Sequence, residues 1–180
     1  MATLLAMPPP LQFDPIARAG DLWQAHWPEE QPSVYASMRA VTSIMRAHQI
    51  LIAELDAMLR PFGITFSRYE ALVLLVHSHD GALSLSKIGE RLQVHATSVT
   101  NVIDRLEAAG LVRREPNPRD GRGTLAVITD DGRDVADKAT NAFNAARFGM
   151  SALPLTQLEQ LYSILRTLRL DAGDFAASDD

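Results

Sequence analysis

The chain has 180 residues, 47% of them apolar and 22% charged, which is the balance of a folded globular protein rather than a disordered one. It has no cysteine, so disulfides, thiolate metal sites and thiol-based redox sensing are excluded. The net charge of −5 argues against a polyanionic partner at first sight, but it is unevenly spread. From Ser84 to Thr129 seven Lys/Arg stand against five Asp/Glu, so this segment is +2 and the remainder −7.

The start, "MATLLAMPPPLQFD", lacks a basic leader and its apolar run is short, so no signal peptide is expected. No apolar run approaches about 18 residues, so no membrane span is expected and a cytoplasmic location follows. Residues 1–13 are Pro-rich and expected to be loose. Asp14 and Pro15 then open a short helix with Ile16, Ala19, Trp23 and Trp27 on one stripe, and Pro28 follows it. Next, Val34, Met38, Val41, Met45, His48, Ile52, Leu55 and Leu59 recur in steps of four and three. That spacing predicts a long helix packing along a partner helix. Ile44, Leu51 and Met58 add a second apolar line, and Pro61 and Gly63 end the helix.

A helix is expected from about Ser67, as N-cap, to Ser78, burying Tyr69, Leu72, Val73 and Val76 and stopped by "HDGA". Ser84 or Ser86 caps a short helix with Leu85, Ile88 and Leu92 inward. After the tight connection "QVH", the segment "ATSVTNVIDRLEAAG" predicts a further helix with Val99, Val102, Ile103 and Leu106 inward and Gly110 just past its end. Two short helices joined by so brief a turn form a helix-turn-helix. "LVRRE" and "TLAVIT" alternate as two strands around "PNPRDGRG", which makes the winged variant. Thr129 or Asp130 caps a long helix running to about Met150. Pro154 opens the last one, with Leu155, Leu158, Leu161, Leu165 and Leu168 on its apolar side. The tail "AASDD" is expected to fray. The fold class is therefore mainly α with a small β-wing.

Opposite the apolar stripe of the helix-turn-helix's second helix stand His95, Ala96, Thr97, Ser98, Thr100, Asn101 and Asp104, with Arg105 beside them. Ser and Thr are not favoured helix formers, and a merely solvated face would use Glu, Lys and Gln. Short polar groups suit a helix entering the major groove: hydroxyls reach phosphates or base edges, Asn pairs with adenine, and Ala96 can touch a thymine methyl. Pro116 and Pro118 stiffen the hairpin tip and Gly121 and Gly123 allow its turn. Arg119 and Arg122 are expected to project toward a minor groove, with Asp120 fixing the tip.

Gly81 to Gly132, "GALSLSKIGERLQVHATSVTNVIDRLEAAGLVRREPNPRDGRGTLAVITDDG", resembles the MarR (multiple antibiotic resistance regulator) family, and the flanking helices match from about Ser33 to Leu170. The resemblance implies a homodimeric winged helix-turn-helix transcription regulator, most simply a ligand-responsive repressor. In such proteins the long N-terminal helix and the two C-terminal helices build the dimer, the second helix-turn-helix helix reads the major groove, and a wing arginine enters the minor groove. By position, the wing pair is Asp120 and Arg122. His95 replaces a usual Ser cap and Lys87 a usual acidic residue.

The implied organisation is an arm over residues 1–31, dimerisation helices over 32–62 and 130–172, a DNA-binding lobe over 63–129 and a tail over 173–180. Trp23 and Trp27 are expected to latch the arm. The resemblance also implies a pocket for a small aromatic or phenolic effector, with Trp23, His48, Phe66, Arg68 and Tyr69 as candidate lining. The expected partners are a pseudo-palindromic double-stranded DNA, a second copy of the chain and that effector, with no cofactor and no metal. The alternative is a winged-helix protein-interaction module without DNA binding. No enzyme motif occurs, and His77, His79 and Asp80 lack an obvious third metal ligand.

Overall fold

The computed structural model describes residues 10–118 and 123–176. They divide into two compact units, one up to Ala53 and one from Glu54 onward. The first holds α1 (Pro15–His26) and most of α2 (Pro32–Leu59). The Asp14 side chain accepts the Ile16 N–H and Pro15 sits in the first turn, as the sequence reading expects. Tyr35 is buried, and its hydroxyl donates to the Trp27 carbonyl, which ties the end of α1 to α2. Trp23 and Trp27 lie 4.5 Å apart, ring centre to ring centre, and each keeps 40% or more of its surface exposed.

The second unit contains α3 (Phe66–Val76), β1 (Ala82–Ser84), α4 (Leu85–Leu92), α5 (Ala96–Ala108), β2 (Val112–Pro116), β3 (Thr124–Ile128), α6 (Asp130–Ala145) and α7 (Leu155–Asp171). The strands form one antiparallel sheet in the order β1-β3-β2. β1 was not foreseen: "HDGA" reads as a stop signal, and three residues are too short to show alternation. Tertiary pairing makes it a strand, with Leu83 opposite Ala126.

Two helix ends differ from the sequence reading, and a third settles a choice that it left open. The third helix starts one residue before Ser67, with Thr65 at the N-cap position making no cap bond. The Phe66 N–H is instead accepted by Asp56 of α2 at 2.7 Å, a partner ten residues away. Ser84, not Ser86, caps α4, its hydroxyl accepting the Lys87 N–H. α6 stops at Ala145 rather than near Met150, because Arg147, Phe148 and Gly149 all have positive φ. Phe148 is held there by stacking 5.0 Å from Phe143.

The core joins Leu55 and Leu59 of α2, Leu72 and Leu75 of α3, Ile88 of α4, Ile103 and Leu106 of α5, Ile128 of β3 and Phe143 of α6. The sequence grouped residues 32–62 with 130–172 as dimerisation helices. Within the chain, Leu55 and Leu59 from the last turns of α2 and Ala136, Ala139 and Phe143 of α6 pack into the same core as the helix-turn-helix. Gly132 shows how close that packing is: a Cβ there would lie 2.1 Å from the Leu111 carbonyl oxygen. No helix among the described residues is long and apolar enough to cross a membrane.

Candidate nucleic-acid interface

The local sequence of α5 fixes which face it presents. Val99, Ile103 and Leu106 are buried beneath it, as the helical period requires. Ala96, Thr97, Ser98, Thr100, Asn101 and Arg105 are all exposed, and so is His95 before the first turn. His95 is the N-cap, its ring Nδ1 accepting the Thr97 N–H at 3.2 Å. An imidazole thus performs the task of the usual serine, and the position accepts the substitution because a ring nitrogen is an equivalent acceptor. Ala96, Thr97, Thr100, Asn101, Asp104 and Arg105 line a shallow concave strip. The Thr100 hydroxyl donates back to the Ala96 carbonyl at 3.0 Å, leaving its methyl and oxygen lone pairs outward.

The hairpin follows directly. β2 and β3 pair from Val112↔Ile128 to Pro116↔Thr124, and the Asn117 N–H donates to the Gly123 carbonyl beyond them. Arg119, Asp120 and Arg122 lie outside the described residues. At the base of the hairpin, exposed Arg113 pairs with Glu115 at 2.6 Å. Arg114 turns the other way, toward α5, and pairs with both Asp104 and Glu107. Burial would push its pKa down, but the hydrogen bonds and charges of the two carboxylates outweigh that, and its pKa lies above the ordinary arginine value. Sequence reading missed this cluster. The signal was present, since residues 104 and 107 share a helix face and strand alternation sends Arg113 and Arg114 to opposite sides.

The five residues expected to line an effector pocket are shared between the two units. Trp23 and His48 belong to the first unit and are exposed there. In the second unit Tyr69 is a core residue: its ring meets Phe143 edge-on at 4.8 Å and its hydroxyl hydrogen-bonds Thr140 at 3.0 Å. Phe66 is half-buried in the same aromatic group. Arg68 opens onto a cleft, which it shares with Glu70 and with Ser98 and Asn101 of α5. Burial raises the Glu70 pKa above the usual carboxylate range. Among the described residues no group of three His, Cys, Asp or Glu is placed to hold a metal ion.

A MarR family model matches residues 62–123, which span α3 to the wing. The chain is 31% identical over 135 residues to an organic hydroperoxide resistance transcriptional regulator of Bacillus subtilis (strain 168), covering 75% of this chain and 83% of that one. Among solved structures it resembles Sco5413, a MarR family transcriptional regulator from Streptomyces coelicolor, with 54% identity and a TM-score of 0.73 over 79% of this chain and 99% of that one. It also resembles Sco3205, a MarR family regulator from the same organism solved in complex with DNA, with 28% identity and a TM-score of 0.66 over 76% of this chain and 88% of the other. The exposed face of α5, the hairpin behind it and these likenesses agree, and the chain belongs to the MarR family of winged helix-turn-helix, DNA-binding transcriptional regulators.

Proposed function

We propose that the chain acts in the cytoplasm as a homodimeric repressor that binds a pseudo-palindromic operator and releases it on binding a small aromatic or phenolic effector. One observation carries the DNA-contact assignment: a helix anchored by Val99, Ile103 and Leu106 presents only short polar or small side chains along its concave outer strip, with Arg105 at the edge. In this reading Asn101 reads a base edge, Ala96 meets a thymine methyl, and His95, Thr97, Ser98, Thr100 and Arg105 contact phosphates or bases. Arg119 and Arg122, with Asp120 setting the tip, enter the minor groove. Two such helices must meet half-sites about 34–36 Å apart at once, so an effector that alters their separation weakens both contacts together.

The effector's place is proposed beside the cleft onto which Arg68 opens, where Arg68 supplies a cation for an aromatic acid and Phe66 and Tyr69 the neighbouring rings. Whatever signal the Bacillus relative answers, a thiol cannot carry it here, because the chain has no cysteine. No catalytic role is assigned.

The test is selection of duplexes from a random library by the wild-type protein, followed by titration at several salt concentrations. We expect a pseudo-palindromic consensus and a log–log salt slope steep enough for several phosphate contacts, near −0.9 per contact. Binding that does not respond to salt would rule the interface out. Asn101→Ala is expected to relax preference at particular positions by about 1–3 kcal/mol. Uniform weakening across all duplexes would remove its base-reading role.

A further inference from the structure

Asp104 and Glu107 stand three residues apart on α5 and therefore share one face, where like charges repel. Arg114 enters between them from β2. Its Nη2 lies 2.6 Å from Asp104 Oδ1 and its Nη1 2.5 Å from Glu107 Oε2. The second Glu107 oxygen accepts the Arg114 backbone N–H at 3.1 Å, so one carboxylate grips both the side chain and the main chain of the same residue. The register of the sheet fixes Arg114 from the other side, opposite Ala126. The Arg114 side chain is only 26% exposed, whereas Asp104 is 56% exposed and lines the same concave strip as Asn101 and Arg105. The planar guanidinium fork can hold two carboxylates at fixed angles; a lysine ammonium cannot reproduce that geometry.

Two consequences follow. The wing strand β2 and α5 are joined by a polar clamp distinct from the apolar core. And the Asp104 carboxylate, which would face a phosphate backbone, is turned toward a cation and held.

We propose that Arg114 is a positioning residue for DNA recognition: it locks the wing to the recognition helix and restrains the Asp104 carboxylate, without itself touching DNA. The proposal rests on the DNA-binding reading above. It is tested by fluorescence anisotropy on the duplex that the wild-type protein selects, with melting temperature recorded for each variant. Arg114→Met, which keeps the stem and loses the charge, is expected to weaken binding by about tenfold or more. Arg114→Lys is expected to fall between Met and wild type. Adding Asp104→Asn to Arg114→Met removes the liberated carboxylate and is expected to recover a large part of the loss at unchanged melting temperature, which a merely structural role would not do.

Unchanged binding by Arg114→Met overturns the clamp. So does a uniform loss with a salt slope lower by about one and no recovery from Asp104→Asn, because that is the signature of a direct phosphate contact. Should Arg114→Met fail to fold, Asp104→Asn alone decides. Binding equal to wild type or tighter supports the clamp, whereas weakening beyond tenfold makes Asp104 itself a base reader and overturns it. A wild-type protein that selects no duplex sinks the DNA-binding reading and the clamp with it; the other adverse outcomes sink the clamp alone.

Discussion

Glu70 illustrates how much one side chain's surroundings matter. It sits half-buried on α3, beside the cleft that Arg68, Ser98 and Asn101 also line, and burial makes its charged form unfavourable. Its folded pKa therefore lies above its unfolded value. The folded state then binds the proton more tightly, so this residue's contribution to stability is most favourable at low pH. That contribution is lost as pH rises from about 4.5 through the folded pKa. Glu70→Gln is expected to raise the melting temperature at pH 7, and the gain should shrink toward nothing below about pH 4, where wild-type Glu70 is itself neutral. An equal gain at both pH values would mean that desolvation is not the cause. His95 makes a related point. Its ring nitrogen replaces a hydroxyl as the cap of α5, so the residue type departs from the family pattern while the hydrogen bond is kept.

Elements in this molecule are held at their ends as firmly as along their faces. The start of α6 is the clearest instance. The Thr129 hydroxyl accepts the Gly132 N–H at 3.0 Å and donates to the Gly110 carbonyl at 2.8 Å, joining the first turn of α6 to the end of α5. The same Gly132 lets the helix approach the Leu111 carbonyl. Gly132→Ala places a methyl where that oxygen stands and is expected to destabilise the fold by about 1–3 kcal/mol, read from the midpoint of chemical denaturation. A change within about 0.5 kcal/mol, the range of an ordinary surface substitution, would show that α6 can move away from Leu111 without cost. Because α6 also carries Phe143 into the core, such a shift would be felt under the DNA-facing helix.

For the whole molecule the telling feature is apolar surface that no other described residue covers. On α2, Val41 and Met45 are 60% and 57% exposed; on α7, Tyr162, Ile164 and Leu168 are 65%, 67% and 56% exposed, and no α7 residue is buried. Helices this apolar and this bare in one subunit fit a contact between two copies, the arrangement that the proposed operator geometry needs. A charge introduced there, as in Ile164→Glu, is expected to give a folded monomer in analytical ultracentrifugation. It should also cost the second half-site, and with it affinity by a factor on the order of a hundred or more. A variant that stays dimeric and binds normally would place the interface elsewhere.

The chain's local signals determined most of the secondary structure and the class of the fold. Apolar spacing marked the helices other than α6, which its cap announced; Asp14 and Pro15 set the start of α1, and the short polar strip of α5 stood out against the stripe of Val99, Ile103 and Leu106. These features act over one or two turns and can be seen without knowing what lies across the chain. Tertiary structure decided the rest. It made β1 a strand by offering β3 as a partner, supplied Asp56 as a cap ten residues from Phe66, and divided α2 so that Leu55 and Leu59 joined the DNA-reading core. It buried Tyr69 in that core, and it brought Arg114 between Asp104 and Glu107. The physical reason is one of range. Propensity, capping and periodicity are settled between near neighbours, whereas the partner of a buried ring or a charged fork is chosen by whichever distant segment closes on it.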